Sequence, residues 1–292
     1  TLGIEGISRS QVSRMAKALD EMVASFRNRP LDAGPYTYLW LDALTQKVRE
    51  GGRVVNVSCV IAIAVGADGH REVCGIDLIA TEDGAGWTAF LRGLVARGLS
   101  GVSLVISDAH SGLVDAIAAC LPGATWQRRH THFARNLLSK VPKASQDLVA
   151  TCVRTIFAQP DDKSVYAQHQ AVVEQLSSHF PEAAEMLAEA RDDILAFASY
   201  PKAHWRQIWS NNPLERLNRE VRRRTDVVGI FPNRAAVMRL VGAVLAEQHD
   251  EWMVCRRYMS LESLAKARME KIDGNAFETI EKEVKELVPA AV

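Results

Sequence analysis

Three acidic residues occupy positions suited to binding a metal. Asp42 ends the run Tyr38-Leu39-Trp40-Leu41-Asp42. Asp108 lies in Ile106-Ser107-Asp108-Ala109-His110-Ser111-Gly112, and Glu215 closes Asn211-Asn212-Pro213-Leu214-Glu215. Carboxylate oxygens drawn from distant parts of a chain to one point are ligands for hard divalent cations, Mg2+ or Mn2+. Two such ions can activate an attacking oxygen and stabilise a leaving one in an in-line displacement. Singly, each acid has a structural reading as well. Asp42 suits a turn, Asp108 a helix N-cap, and Glu215 the third position of a capping box behind Asn212 and Pro213. The set carries the metal reading because nothing competes with it. The chain has no G-x-x-x-x-G-K-[ST] loop, no H-E-x-x-H and no G-x-S-x-G.

Positive charge is densest next to the third acid, where Arg216, Arg219, Arg222, Arg223 and Arg224 fall on nine consecutive residues. On a helical repeat Glu215, Arg219 and Arg222 share a face. Arg219, Arg222, Arg223 and Arg224 are therefore candidates for phosphate contacts, which position nucleic acid without reading its sequence. A solvated basic helix is the alternative. His110, two residues past Asp108, is an auxiliary candidate for a phosphate or leaving group. Trp205 and Trp209, just before this helix, are expected to pack rather than to stack on bases.

Positioning these groups falls to alternating strands and helices. Ser8 to Phe26 has helical spacing in Val12, Met15, Leu19, Met22, Val23 and Phe26, with Ser8 or Ser10 as cap. The turn before it resembles that of a helix-turn-helix, and a plain bundle helix fits equally. The run ending at Asp42 reads as a short strand. Val54–Val65 and Glu72–Ile79 read as strands joined by Gly66-Ala67-Asp68-Gly69. Trp87 to Gly98 is an amphipathic helix, Val102–Ser107 a buried strand, Ser111–Cys120 a helix and Ala124–Gln127 a short strand.

The order β-β-β-α-β-α-β is that of a ribonuclease H-like fold, an α/β core with a mixed five-stranded sheet. From His130 the pattern turns helical, with helices at His132–Lys140, Ser145–Phe157, Lys163–His179 and Glu182–Ser199. The expected organisation is a partial N-terminal helical DNA-binding segment (1–29), the first part of the core (30–128) and an all-α insertion (129–205). The core then resumes (206–260) and a helical tail (261–292) follows.

Composition sets limits on function. With 48% hydrophobic residues the chain is no disordered tail. No apolar run nears the roughly 20 residues of a membrane helix, and the start has no signal-peptide pattern. It also lacks an initiating methionine, as a fragment would. Lys plus Arg, 35, balances Asp plus Glu, 35, so net charge does not point to a partner. Five scattered cysteines without a C-x-x-C pair fit neither a zinc ribbon nor a disulfide framework and suit a reducing cytoplasm.

The three acidic stretches, in this order, resemble the mutator-type family of bacterial insertion-sequence transposases. Lys47-Val48-Arg49, Leu217-Asn218-Arg219-Glu220, Arg222-Arg223-Arg224-Thr225 and Gly229-Ile230-Phe231-Pro232-Asn233 extend the likeness, which runs from Gly6 to about Tyr258. The resemblance implies that Asp42, Asp108 and Glu215 are a catalytic and metal-binding DDE triad using Mg2+ or Mn2+, two ions in number. It implies cleavage at element ends followed by strand transfer. The partners would be double-stranded DNA, as terminal inverted repeats and as target, and a second copy in a dimer on DNA, with no membrane. The setting would be the bacterial cytoplasm at the nucleoid. A ribonuclease H-like nuclease without strand transfer, or a catalytically impaired DNA-binding remnant, are the alternatives. One residue departs from the family pattern. Where the family carries Cys-x-x-His, this chain has Arg129-His130-Thr131-His132. His132 keeps its place as an auxiliary residue, and Arg129 is expected to contact phosphate, with no structural zinc.

Overall fold

The computed structural model describes residues 8–80, 84–209 and 212–269. In chain order its elements are α1 (Arg9–Asn28), β1 (Tyr38–Glu50), β2 (Arg53–Val65), β3 (Arg71–Ile79), α2 (Gly84–Ala96), β4 (Leu104–Ser107) and α3 (Ser111–Cys120). Then come β5 (Thr125–Arg128), α4 (His130–Leu138), α5 (Gln146–Phe157), α6 (Asp162–Ser177), α7 (Pro181–Glu189), α8 (Arg191–Leu195) and α9 (Lys202–Ile208). Last are α10 (Asn212–Val228), β6 (Ile230–Phe231) and α11 (Arg234–Val254), with a further helix at 261–269. No helix among the described residues is long and apolar enough to cross a membrane. The chain divides into two compact units, Thr1–Ala124 with Asn212–Tyr258, and Thr125–Asn211 with Met259–Val292.

The first unit is built on β1. This strand does not end at Asp42, as its sequence suggested, but runs thirteen residues to Glu50. Beyond Asp42 its burial alternates, with Leu44, Gln46 and Val48 inside and Thr45, Lys47 and Arg49 outside. Period-two burial is that of a strand with one face covered. Charge on the outward positions hid it. The strand then turns at Gly51 and Gly52, whose φ angles of 55° and 78° are those of a two-residue hairpin loop that needs φ > 0 twice. Glu50 pairs with Arg53 across that turn, and the antiparallel ladder runs back to Tyr38 opposite Val65.

Within this unit the sheet order is β3-β2-β1-β4, with β6 on β1 as well. One edge of β1 pairs throughout with β2. Along the other, β4 runs parallel to Tyr38–Trp40 and β6 runs parallel to Lys47–Val48. Strand β6 is too short for its sequence to announce it. The architecture is thus mixed α/β on a mixed sheet.

Helices cover both faces. On one, Gly75 lies so close to α2 that an added Cβ would meet Leu94 at 2.6 Å, and α3 packs on α2. On the other, α10 and α11 pack against β1, and α11 also against β3. Helix α1 is capped by Ser8, one of the two expected candidates, and the cap is a full capping box: Gln11 N–H donates to Ser8 Oγ at 3.3 Å, and Ser8 N–H donates to Gln11 Oε1 at 2.7 Å. Only its C-terminal half is held, by Val23 against Gly242 of α11 and by Arg239 on Asp20 at 2.6 Å. Val23 and Phe26 are buried, whereas Val12, Met15, Leu19 and Met22 of the apolar stripe stay exposed.

Among its described residues the second unit is helical apart from β5. The stretch expected as one helix from Glu182 to Ser199 breaks at Ala190, where ψ swings to 5°, and α8 starts anew with Asp192 and Asp193 in its first turn. Gln127 of β5 is fully buried. Its amide donates to the Ile194 carbonyl at 3.0 Å and accepts from Phe197 N–H at 2.8 Å. Trp205 and Trp209 pack, as the sequence suggested, with Phe197 at 5.2 and 4.8 Å between ring centroids, and Trp205 Nε1 donates to the Tyr200 carbonyl.

Candidate active site

The β1–β4 register relates the two aspartates. Leu39 pairs with Val105 and Trp40 with Ile106, an offset of 106 − 40 = 66. Carried two residues past that last pairing, and one past the end of β4, the same offset would set Asp108 level with Asp42 (42 + 66). Adjacent strands lie about 4.8 Å apart, and an even step returns to the same face. The Asp42 carboxylate stands on the sheet face that carries α10. Asp42 and Asp108 are half-buried.

Asp42 is oriented from two sides. Its Oδ1 accepts the Ala43 N–H at 2.9 Å, and its Oδ2 accepts a short hydrogen bond from the Asn218 side-chain amide. Asn218 lies on α10, whose buried residues Leu214, Leu217 and Val221 dock it on the core. Asp108 follows β4 directly. It is not the cap of α3: that place is taken by His110, whose side chain makes no cap bond and is exposed.

Glu215 sits in the first turn of α10, one turn before Asn218, and is exposed. The cap expected from Asn212 lies outside the described side chains. Residues three apart on a helix are neighbours, so the helix that bonds Asp42 also carries Glu215 along the same edge. Among the described residues, no group of three or more His, Cys, Asp or Glu side chains is gathered closely enough to hold a metal ion. Asp42 is joined to α10 through Asn218, and Glu215 lies one turn before Asn218 on that helix.

The arginines of α10 divide into two groups. Arg216, Arg219, Arg223 and Arg224 line a groove of about 380 Å³ against α11, together with Glu220, Glu247 and Glu251. Arg223 pairs with Glu220 at 2.9 Å, and Arg224 pairs with both Glu220 and, at 3.4 Å, Glu247. The hydrogen bond from Arg223 holds Glu220 below the usual carboxylate range. Arg222 is exposed and is not part of that groove. In the second unit His132 is half-buried on α4. Arg129, expected as a phosphate contact, is instead only 2% exposed and starts α4 from its N-cap position. A guanidinium buried to that degree does not present itself to a DNA surface. Arg128, beside it, lies over the Phe133 ring at 5.1 Å.

A family description, transposase of the Mutator family, matches residues 1–255. The chain belongs to the Mutator family of transposases. Among its relatives is the transposase for insertion sequence element IS1081 of Mycobacterium tuberculosis, 62% identical over 268 residues, or 92% of this chain. This chain spans 65% of that relative's length. The transposase for IS256 in transposon Tn4001 of Staphylococcus aureus is 38% identical over 261 residues, 88% of this chain and 67% of that protein. Among solved structures, the Drosophila P element transposase strand transfer complex matches at a TM-score of 0.33 and 11% identity, covering 92% of this chain and 79% of that one. In this Mutator-family chain Asn218 was the residue whose role the sequence did not disclose. Its place three residues after Glu215 in Leu214-Glu215-Arg216-Leu217-Asn218 was the one signal available.

Proposed function

We propose that this chain carries the catalytic part of a DNA transposase, on a ribonuclease H-like core with Asp42, Asp108 and Glu215 as its acids. The observation that carries the proposal is the hydrogen bond from Asn218 to Asp42, which ties β1 to the helix that bears Glu215, and the parallel pairing of β1 with β4, the strand that Asp108 follows, supports it. The fold reading is supported by three antiparallel strands, β3-β2-β1, followed by β4 parallel to β1. The donor set is oxygen only and fits Mg2+ or Mn2+, so Asp42, Asp108 and Glu215 would hold two ions that neutralise phosphate charge and acidify the attacking hydroxyl.

The chain's own residues supply orientation. Asn218 and the Ala43 N–H fix the Asp42 carboxylate, and α10 offers Glu215 from its first turn. Arg219 and Arg222 through Arg224, with His110, meet DNA phosphates. Water attacks phosphorus at the element end, the P–O3′ bond breaks, and a 3′-OH and a 5′-phosphate result. That 3′-OH then attacks a target phosphodiester, forming a new P–O bond and releasing the target's own 3′-OH. No covalent protein–DNA intermediate is formed. The partners are the terminal repeats and target duplex, with two copies of the chain joining two ends.

The test incubates the chain with labelled duplex bearing its element's ends, with and without Mg2+, and resolves cleaved and joined products. Metal-dependent cleavage with joined product is expected, and it should disappear in Asp42→Asn, Asp108→Asn and Glu215→Gln while the circular dichroism spectrum persists. Cleavage without joining would reduce the protein to a nuclease. Undiminished cleavage by any one variant would remove that residue from the triad.

A further inference from the structure

Arg71, the first residue of β3, is held in an unusual way. Its guanidinium lies 4.4 Å from the centroid of Trp252 and 4.5 Å from that of Tyr258. Trp252 comes from the end of α11. Tyr258 is tied back to the β2–β3 turn by its N–H on the Gly69 carbonyl at 2.8 Å. Ring contacts engage the flat faces of a guanidinium and leave its in-plane N–H donors for another partner. Among the described residues no carboxylate forms an ion pair with Arg71, and none does with Arg216 of α10, which lines the same cleft of about 320 Å³. Burial first, and the Arg216 charge in addition, depress the pKa of Arg71. The one acid of the cleft, Glu251, is occupied by the Gln248 amide at 2.6 Å. Two guanidiniums thus share a cleft with one carboxylate, an excess that an anion would balance.

Register locates this cleft against the acids. Arg71 pairs with Val65, and Val65 with Tyr38, four residues before Asp42 on β1. The even step keeps Arg71 on the face of Asp42, as the Trp40–Tyr258 ring contact at 6.3 Å also requires. Four residues along and two strands across amount to roughly 16 Å. That is about four to five nucleotides of axial rise along one strand.

We infer that Arg71 and Arg216 form a two-guanidinium site for a non-reacting phosphate of the DNA backbone, with Arg71 pre-set by its aromatic clamp. The inference rests on the DNA reading given above. Guanidinium forks match phosphate oxygens bidentately, and a clamped fork loses little freedom on binding. The groove of Arg219 and Arg223 adjoins at Arg216 and continues the positive path along α10.

Binding of the full chain to a short duplex is measured against salt, without divalent metal. Arg216→Gln, at an exposed position, should weaken binding roughly tenfold and flatten the slope of log K by about 0.9, with an unchanged melting temperature. Arg71→Lys should weaken binding comparably but leave the slope in place, since it keeps the charge but not the fork, and Glu251→Gln should tighten binding severalfold. In a second arm inorganic phosphate alone should shift the Nε–H resonances of both arginines. Wild-type affinity and slope in Arg216→Gln would overturn the site, and so would a loss of melting temperature in Arg71→Lys without a change of affinity. A phosphate response with no change in DNA binding would assign the cleft to a free anion and overturn the DNA role. Because no metal is present, these readouts are separate from the failure or success of strand cleavage.

Discussion

Asn218→Ala isolates the contact on which the candidate active site turns. The substitution removes the amide that donates to Asp42 Oδ2 and leaves the Ala43 N–H on Oδ1 in place. A hydrogen bond to a charged group contributes about 1.5–3 kcal/mol where it is needed. At 1.36 kcal/mol per factor of ten, that becomes a rate loss of roughly 10- to 150-fold if the bond orients Asp42 for reaction. Residues that orient metal ligands show losses of about 10- to 100-fold when mutated, a range that overlaps this one. The effect on folding is smaller. Asp42 is half-buried, so water can replace the lost donor, and about 1 kcal/mol or less of stability is at stake.

The expected signature is therefore a large fall in cleavage with a small fall in melting temperature. The Mg2+ concentration for half-maximal rate should rise, because a misdirected carboxylate binds a cation less well. Initial rates on labelled duplex across a Mg2+ titration, paired with thermal melts, measure both. Asn218→Gln keeps an amide one methylene further out and should recover part of the rate. If Asn218→Ala cleaves within twofold of the native chain at the same Mg2+ dependence, the Asp42–Asn218 bond has no part in orienting the acid.

Packing and burial within the units give further expectations. Gly242 leaves no room for a side chain, since an added Cβ would lie 2.4 Å from Val23 Cγ1; Gly242→Leu should destabilise by about 1–3 kcal/mol, and an unchanged melting temperature would show that α1 does not press on α11 there. Gly51 holds φ at 55° in the β1–β2 turn, so Gly51→Val should cost about 1–2 kcal/mol while Gly51→Asn is tolerated, an order that chemical denaturation would reveal. Burial lowers His204 and His249 to a pKa of about 4, below the 6.5 of the unfolded chain. As pH falls through that window the unfolded state takes up protons that the folded state does not, so stability is full above about 6.5 and is lost toward 4. Melting temperatures from pH 7.5 to 4.5 should fall accordingly, less steeply in His204→Gln; a flat profile would contradict the burial of both imidazoles.

Local signals of the fold were legible and long-range ones were not. Ser8 or Ser10 marked the start of α1 because a cap lies next to the helix it opens, and the structure uses Ser8. The Ser111–Cys120 helix and the strands up to Val65 and Ile79 were readable for the same reason: periodicity and burial agree along one segment. Strand β1 was cut short at Asp42 because Lys47 and Arg49 break the apolar run, although they lie on the outward face of a continuing strand. Strand β6 exists only because Ile230 and Phe231 meet Lys47 and Val48, a pairing across more than 180 positions that no local pattern records. The stripe Val12, Met15, Leu19 and Met22 shows the converse: helical spacing shaped a helix without deciding what covers it.

The candidate site divides along the same line. Asp42 and Asp108 could be named from their strands, but relating them takes an inter-strand offset that three pairings fix and neither strand encodes alone. Asn218 and Arg71 were silent because their chemistry comes from partners elsewhere in the chain, Asp42 for one and Trp252 with Tyr258 for the other. The arginine cluster was visible as composition, yet the structure gives its members different settings. Arg223 and Arg224 are engaged by Glu220 and Glu247, whereas Arg216 faces the cleft of Arg71. Five adjacent positive charges are thus not five equal contacts for DNA. Carboxylates already neutralise part of the row, so binding should depend most on the arginines that α11 leaves without a partner. That ordering, Arg216 ahead of Arg223 and Arg224 in salt-dependent affinity, follows from geometry and runs against a reading by charge density alone.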